Sequence, residues 1–155
     1  MTSPPAFLVV EDGREYTDRF ERLLGQQGQR FRFVRAGSAA EALAAAAAGG
    51  LAGVLLDLDF RRTPPHQLID DGGNGAAAHA DSERRRLAAV QGILILRALR
   101  RAAVSLPALL FADLDDDGQV GYLEGELSPL RVVPSSVGLQ EIAGLLDRLA
   151  AAGAL

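Results

Sequence analysis

The chain has no cysteine. Disulfides, thiolate nucleophiles and cysteine metal ligands are thereby excluded. It also has no lysine: all 16 basic residues are arginine. Every mechanism that needs a lysine side chain is closed to it. Long apolar runs are missing, and none reaches the roughly 18–20 residues that a membrane span needs. The opening MTSPPAFLVVEDG has no basic start and too short an apolar run for a secretory signal. A soluble cytoplasmic protein, without a membrane partner, is the expectation. The net charge of −4 argues against a nucleic-acid partner. What is present is apolar material: 48% of 155 residues, enough for one domain, 1–155, with a real core.

Ala6–Val10 is a short apolar strand run that stops at Glu11-Asp12-Gly13. Tyr16, Phe20, Leu23 and Leu24 then recur at helical spacing, ended by Gly25 and Gly28. Phe31 and Phe33 alternate with Arg30, Arg32 and Arg35 as a half-exposed strand. Ser38 and Glu41 form a capping box ahead of an alanine-rich helix that Gly49-Gly50 close. Val54-Leu55-Leu56 run straight into Asp57-Leu58-Asp59, the pattern of a strand buried on both faces. Residues 61–83 carry prolines, glycines and no apolar period, and read as a long, partly ordered insertion. One helix is expected from about Glu83 to Arg101, then the strand LPALLFA. The acidic stretch after it has room for a short helix at most. LRVV is a brief strand before Pro134, and Leu139 to Leu149 mark a closing amphipathic helix.

Strands alternate with helices, so the fold class is α/β. The expected architecture is a three-layer, doubly wound, five-stranded parallel sheet, with the insertion between strand 3 and helix 3. Ligand sites in such sheets lie at the carboxyl ends of the strands. Glu11-Asp12, Asp57 and Asp113 all end strands, so the acids converge on one edge.

Taken in order, FLVVEDG, RAGSAAEAL, GVLLDLD, GILILRALRRAAVSLPALLFA and VVPSSVGLQEIAGLLDRL resemble the segments of two-component receiver domains. These have the flavodoxin-like fold of the chemotaxis response regulator. The resemblance covers nearly the whole chain apart from 61–83. It implies a signalling module rather than an enzyme, with no catalytic residues of its own. It implies that Asp57 is a phosphoacceptor for a histidine kinase. It implies Mg²⁺ as cofactor, held by Glu11, Asp12, Asp57 and the backbone carbonyl of Asp59. Clustered carboxylates repel unless a hard cation sits among them, and Mg²⁺ takes oxygen ligands.

Two positions depart from the family pattern. Where the family has a serine or threonine ending strand 4, this chain has Ala112. Where it has a lysine before a proline ending strand 5, this chain has Val133. Arg131, two residues back on the same strand face, is the nearest basic substitute. The resemblance therefore points to a degenerate, pseudo-receiver form. With the closing helix ending near Ala152, it would act alone by binding another protein, a histidine kinase or a downstream effector. Two surfaces are expected to serve: the insertion, and the face of helix 4, strand 5 and helix 5 that receivers use for homodimers. A working phosphoacceptor with altered switch residues is the second reading.

DLDDDGQVGYLE supplies a third. Asp113, Asp115, Asp117, Gln119 and Glu124 stand at positions one, three, five, seven and twelve, with Gly118 at six, as in a calcium loop. A Ca²⁺ sensor would follow. The strand before the motif and Pro129 after it do not suit an EF-hand. His66 and His79 in the insertion read as surface histidines. Asp57-x-Asp59 resembles the aspartate pair of haloacid-dehalogenase phosphatases, but sits on the third strand and runs into Arg61-Arg62. SERRR reads as a solvated helix start.

Overall fold

A computed structural model describes residues 3–25 and 30–152. Five strands, β1 (Ala6–Val10), β2 (Arg32–Ala36), β3 (Leu51–Asp57), β4 (Ala108–Phe111) and β5 (Leu130–Val133), form one sheet. The order is β2-β1-β3-β4-β5, and every pairing is parallel. Six α-helices accompany them among the described residues: α1 (Glu15–Phe20), α2 (Ala39–Ala48), α3 (Asp81–Ala89), α4 (Gln91–Arg101), α5 (Asp117–Glu126) and α6 (Leu139–Ala152). A wider π-turn, Glu21–Gly25, prolongs α1. Gly28 falls outside the described residues.

Strand alternation divides the core into two layers. Leu8, Val10, Val54, Leu56 and Leu110 face α2, α3, α4 and α5. Phe7, Val9, Leu55, Leu109, Phe111 and Val133 face α1 and α6. All of β1 is buried because it lies between β2 and β3 with helices on both sides. Edge strand β2 keeps the period-two pattern, with Arg32 and Val34 exposed. Ser38 caps α2 by accepting the Glu41 N–H at 3.2 Å. Gly49 and Gly50 end that helix at φ 76° and 80°, which glycine adopts without steric penalty.

Three sequence expectations change. The single helix over 83–101 is two helices, broken at Val90 (φ −122°, ψ 17°). The break lets the first turn of α4 sit on the end of β3, where the Gly92 N–H donates to Leu58 O at 3.0 Å. A Cβ on Gly92 would lie 2.0 Å from the Asp57 carbonyl oxygen, so a glycine is needed there. The acidic stretch after β4 holds a ten-residue helix, α5, packed through Leu123. Asp116 starts it by accepting the N–H groups of Gly118 and Gln119.

The insertion is also more ordered than its composition suggests. Leu68 and Ala76 are buried, and Ile69 and Gly75 form an antiparallel bridge. Asp70 closes the intervening turn by accepting the N–H groups of Gly72 and Asn74. Gln91, 1% exposed, holds this small hairpin from beneath: its amide accepts from Ile69 N–H and donates to Ile69 O. The order rests on two apolar anchors and one buried amide, too sparse to register as a period.

Candidate acidic pocket

The topology reverses between β1 and β3, and the crevice at their carboxyl ends is where this fold class places its sites. Glu11 and Asp12 follow β1, and Asp57 ends β3. The acids do converge on that edge, but each has a different occupation.

Glu11 points inward and is 1% exposed. Its carboxylate accepts the Tyr16 N–H at 3.0 Å, the Thr17 N–H at 2.7 Å and the Thr17 hydroxyl at 2.7 Å. It therefore caps the start of α1, whose first N–H groups have no partner within the helix. Asp12 turns toward the loop after β3. Its Oδ2 accepts the Arg62 backbone N–H at 3.1 Å, and its Oδ1 the Arg62 guanidinium at 3.1 Å. The same guanidinium reaches Glu15 at 2.7 Å and holds that carboxyl low, at about 2. Asp59 accepts the Arg61 N–H at 2.9 Å and also pairs with its guanidinium.

Among the described residues, Asp57 accepts one hydrogen bond, from the Leu58 N–H to Oδ1 at 2.9 Å. Half-buried at the strand end, it has its pKa pushed up to about 6. Burial is the main cause, opposed by the Leu58 bond and aided by the charges of Asp12, Glu11 and Asp59.

Two residues complete the pocket that the sequence did not single out. Tyr16 stacks on Phe111 with ring centroids 5.0 Å apart. Its hydroxyl is pushed up to about 12, by burial first and then by the charges of Asp57 and Glu11. Its place five residues after Glu11 was the available signal. Arg35, at the end of β2, donates to the carbonyl oxygens of Glu11 at 3.1 Å and Asp12 at 3.0 Å, and to that of Gly13. It clamps the acidic turn from behind. In the sequence it was only one polar member of a strand alternation.

Ala112 is buried beside this edge, and its N–H donates to Val133 O at 2.9 Å. Val133 is 3% exposed and belongs to the apolar layer under α1 and α6. Arg131 lies two residues earlier on β5, toward the opposite edge, opposite Leu109 in the register. The strand geometry carries it away from Asp57.

The implied Mg²⁺ ligands, Glu11, Asp12, Asp57 and Asp59, do not fit the ion as placed. Glu11 is committed to α1, and Asp12 is covered by Arg62. Among the described residues no three His, Asp or Glu side chains form a metal-holding group. Asp113, Asp115 and Asp117 of the calcium pattern line one pocket, but several of the pattern's residues are engaged elsewhere. Asp113 accepts the Ser135 N–H at 3.0 Å and the Ser135 hydroxyl, which lowers its pKa. Asp115 is exposed, and Asp117 and Gln119 lie in the first turns of α5. Glu124 accepts the Val132 N–H at 2.9 Å. A helix that begins at Asp117 cannot also be the loop that wraps an ion with that residue. His79 pairs with Asp70 at 3.2 Å, while His66 is exposed on the turn Pro65–Gln67. SERRR lies in α3, with Arg84 on Asp81 and Arg86 on Glu83 and Asp71.

A parallel 2-1-3-4-5 sheet with acids at the switch point defines the class: a flavodoxin-like α/β protein. The particular fold is that of response regulator receiver domains. The chain resembles the Francisella response regulator 1452 receiver domain with a TM-score of 0.65 and 15% identity, over 94% of this chain and 96% of that one. It resembles the Vibrio cholerae chemotaxis protein CheY4 with a TM-score of 0.64 and 14% identity, over 94% and 98%. It also resembles the signal receiver domain of an HD domain-containing protein from Pseudomonas fluorescens, with a TM-score of 0.65 and 15% identity, over 99% and 91%. Neither a protein-family model nor a curated protein matches the sequence.

Proposed function

We propose that this chain is a degenerate receiver: a non-enzymatic signalling module that works by contact with another protein, without a conventional phosphoryl switch. The observation that carries the reading is Val133. A side chain 3% exposed in an apolar layer stands where the family's lysine would meet a phosphoryl group. The lysine-free composition leaves no ammonium in the chain to replace it, and the Arg61 and Arg62 guanidiniums over this edge are paired with Asp59, Asp12 and Glu15. Ala112 removes the hydroxyl as well. A phosphoryl group on Asp57 would add charge to an edge that lacks both the family's strand-5 ammonium and its strand-4 hydroxyl. The partner in this reading is a histidine kinase or a downstream effector. The ordered hairpin over 68–76 is a surface for it, beside the acidic edge.

Incubation with acetyl phosphate and Mg²⁺, read by intact mass and near-ultraviolet circular dichroism, tests the proposal. The expected result is no stoichiometric modification and no spectral change. Near-complete modification of Asp57 with an altered spectrum would establish a working phosphoacceptor and refute the degenerate reading.

A further inference from the structure

The turn after β3 begins with a buried anchor. Phe60 is fully buried, and its N–H donates to Ala88 O at 2.8 Å. The Thr63 N–H returns to Phe60 O at 3.1 Å and closes the turn. With Phe60 pinned inward, Arg61 and Arg62 are carried outward over the acidic edge. Arg61 takes Asp59. Arg62 takes Asp12 with both its backbone N–H and its guanidinium.

Exposure shows how this contact works. The Arg62 side chain is 61% exposed, whereas that of Asp12 is only 4% exposed. The arginine lies over the aspartate as a cover, and a Cβ on Gly13 would meet the guanidinium at 2.5 Å. A planar fork suits two carboxylate oxygens at once, and a guanidinium is never discharged near neutral pH. Both oxygens of Asp12 are taken, and those of Glu11 are spent on α1. Asp57 remains as one carboxylate, a poor basis for an ion that dehydrates reluctantly and demands octahedral geometry.

We propose that Arg62 is a resident intramolecular counterion. It takes the place of a divalent cation at Asp12 and makes the acidic edge indifferent to metal. The charge state of the edge is then set by whether the turn over 58–63 is in place, and not by an ion. The inference shares with the proposed function only the identification of this edge as the receiver-type pocket.

The test uses the full chain and two probes, Mn²⁺ by electron paramagnetic resonance and Mg²⁺ by its effect on melting. Wild type is expected to shift by less than about 1 °C in roughly 10 mM Mg²⁺, since an ion that does not bind cannot raise the midpoint. Arg62→Gln is expected to bind Mn²⁺ about tenfold or more tighter than wild type, with a matching Mg²⁺-dependent rise in midpoint. Adding Asp12→Asn to that variant should abolish the gain. Arg62→Lys keeps the positive charge and should stay insensitive, which separates counterion replacement from a change in folding. Wild type binding Mn²⁺ as tightly as Arg62→Gln would overturn the proposal. So would a folded Arg62→Gln that binds no Mn²⁺. A wild type that binds Mn²⁺ tightly but is not modified by acetyl phosphate would overturn this proposal and leave the degenerate reading standing, so the two failures are distinguishable.

Discussion

Asp57 should destabilise the protein that carries it, and Asp57→Asn should show this at neutral pH. Its carboxyl is raised from an ordinary 3.8 to about 6 in the folded state, chiefly by burial. Each factor of ten in proton affinity is worth about 1.4 kcal/mol, which puts a ceiling of about 3 kcal/mol on the cost of the ionised form. The group is only half-buried, and solvent screening reduces that to about 1 kcal/mol. The sign follows from proton counting. Between pH 4 and 6 the folded state holds a proton that the unfolded chain has released, so stability falls as pH rises through this window. Below it both states are protonated and the cost vanishes. Above it both are ionised and the cost is complete.

An asparagine removes the charge and keeps an oxygen to accept the Leu58 N–H, so it isolates this electrostatic contribution. Melting in chelated buffer should place Asp57→Asn about 2–4 °C above wild type at pH 7.5. The difference should shrink to nothing near pH 4. A variant no more stable than wild type at pH 7.5, or a gain independent of pH, would refute the argument. Either result would mean that Asp57 is better solvated or better partnered than its surroundings imply.

Two further changes probe how the edge is built. Glu11→Ala leaves the Tyr16 and Thr17 N–H groups and the Thr17 hydroxyl without their acceptor, and should cost about 1–3 kcal/mol in metal-free urea unfolding. Glu11→Gln, which retains one carbonyl oxygen, should recover part of this, and an unchanged Glu11→Ala would mean that the carboxylate does not cap α1. Gly92→Ala should cost about 1–3 kcal/mol, because its methyl must push α4 off the Asp57 carbonyl. Hydrogen exchange should then quicken at Leu58 and Gly92, and a wild-type exchange pattern would count against the close approach.

The layers were legible because the inner strands are apolar on two faces and edge strand β2 alternates cleanly on one. Val54-Leu55-Leu56 in the centre and Arg32–Ala36 at the edge each announce their position. The convergence of Glu11, Asp12 and Asp57 followed from topology alone. Their occupations did not. Whether Glu11 turns inward depends on the unpaired N–H groups of α1, which no spacing rule reports. The break at Val90 was hidden because Leu87, Val90 and Leu94 keep a helical period across it. Only the demand of the β3 end for a residue without a side chain, met by Gly92, marks the junction. The calcium pattern is ambiguous for a related reason: a run of aspartates satisfies a loop template and a helix cap equally well. Here Asp116, at position four of the pattern and not one of its ligand positions, does the capping.

One compositional fact ties the pocket together. A chain whose only strong cations are arginines has two ways to answer a carboxylate cluster. It can recruit an ion, or it can bring a guanidinium in from a neighbouring segment. Arg61 and Arg62 do the second, and Phe60 makes it cheap, because one buried ring fixes the turn that aims both side chains. Arg35 does the same work on the backbone side, where it gathers the carbonyls of the acidic turn. The same choice leaves β5 free to end in Val133, whose burial strengthens the layer under α1 and α6. A lysine there would have to leave that layer to reach the edge, and would then compete with arginines already in place. Neutralising the acids from the β3 turn and closing β5 with an apolar residue are therefore mutually consistent. Asp57 is the one acid of the set that neither device reaches, and because burial already makes its ionisation costly, it is informative to remove.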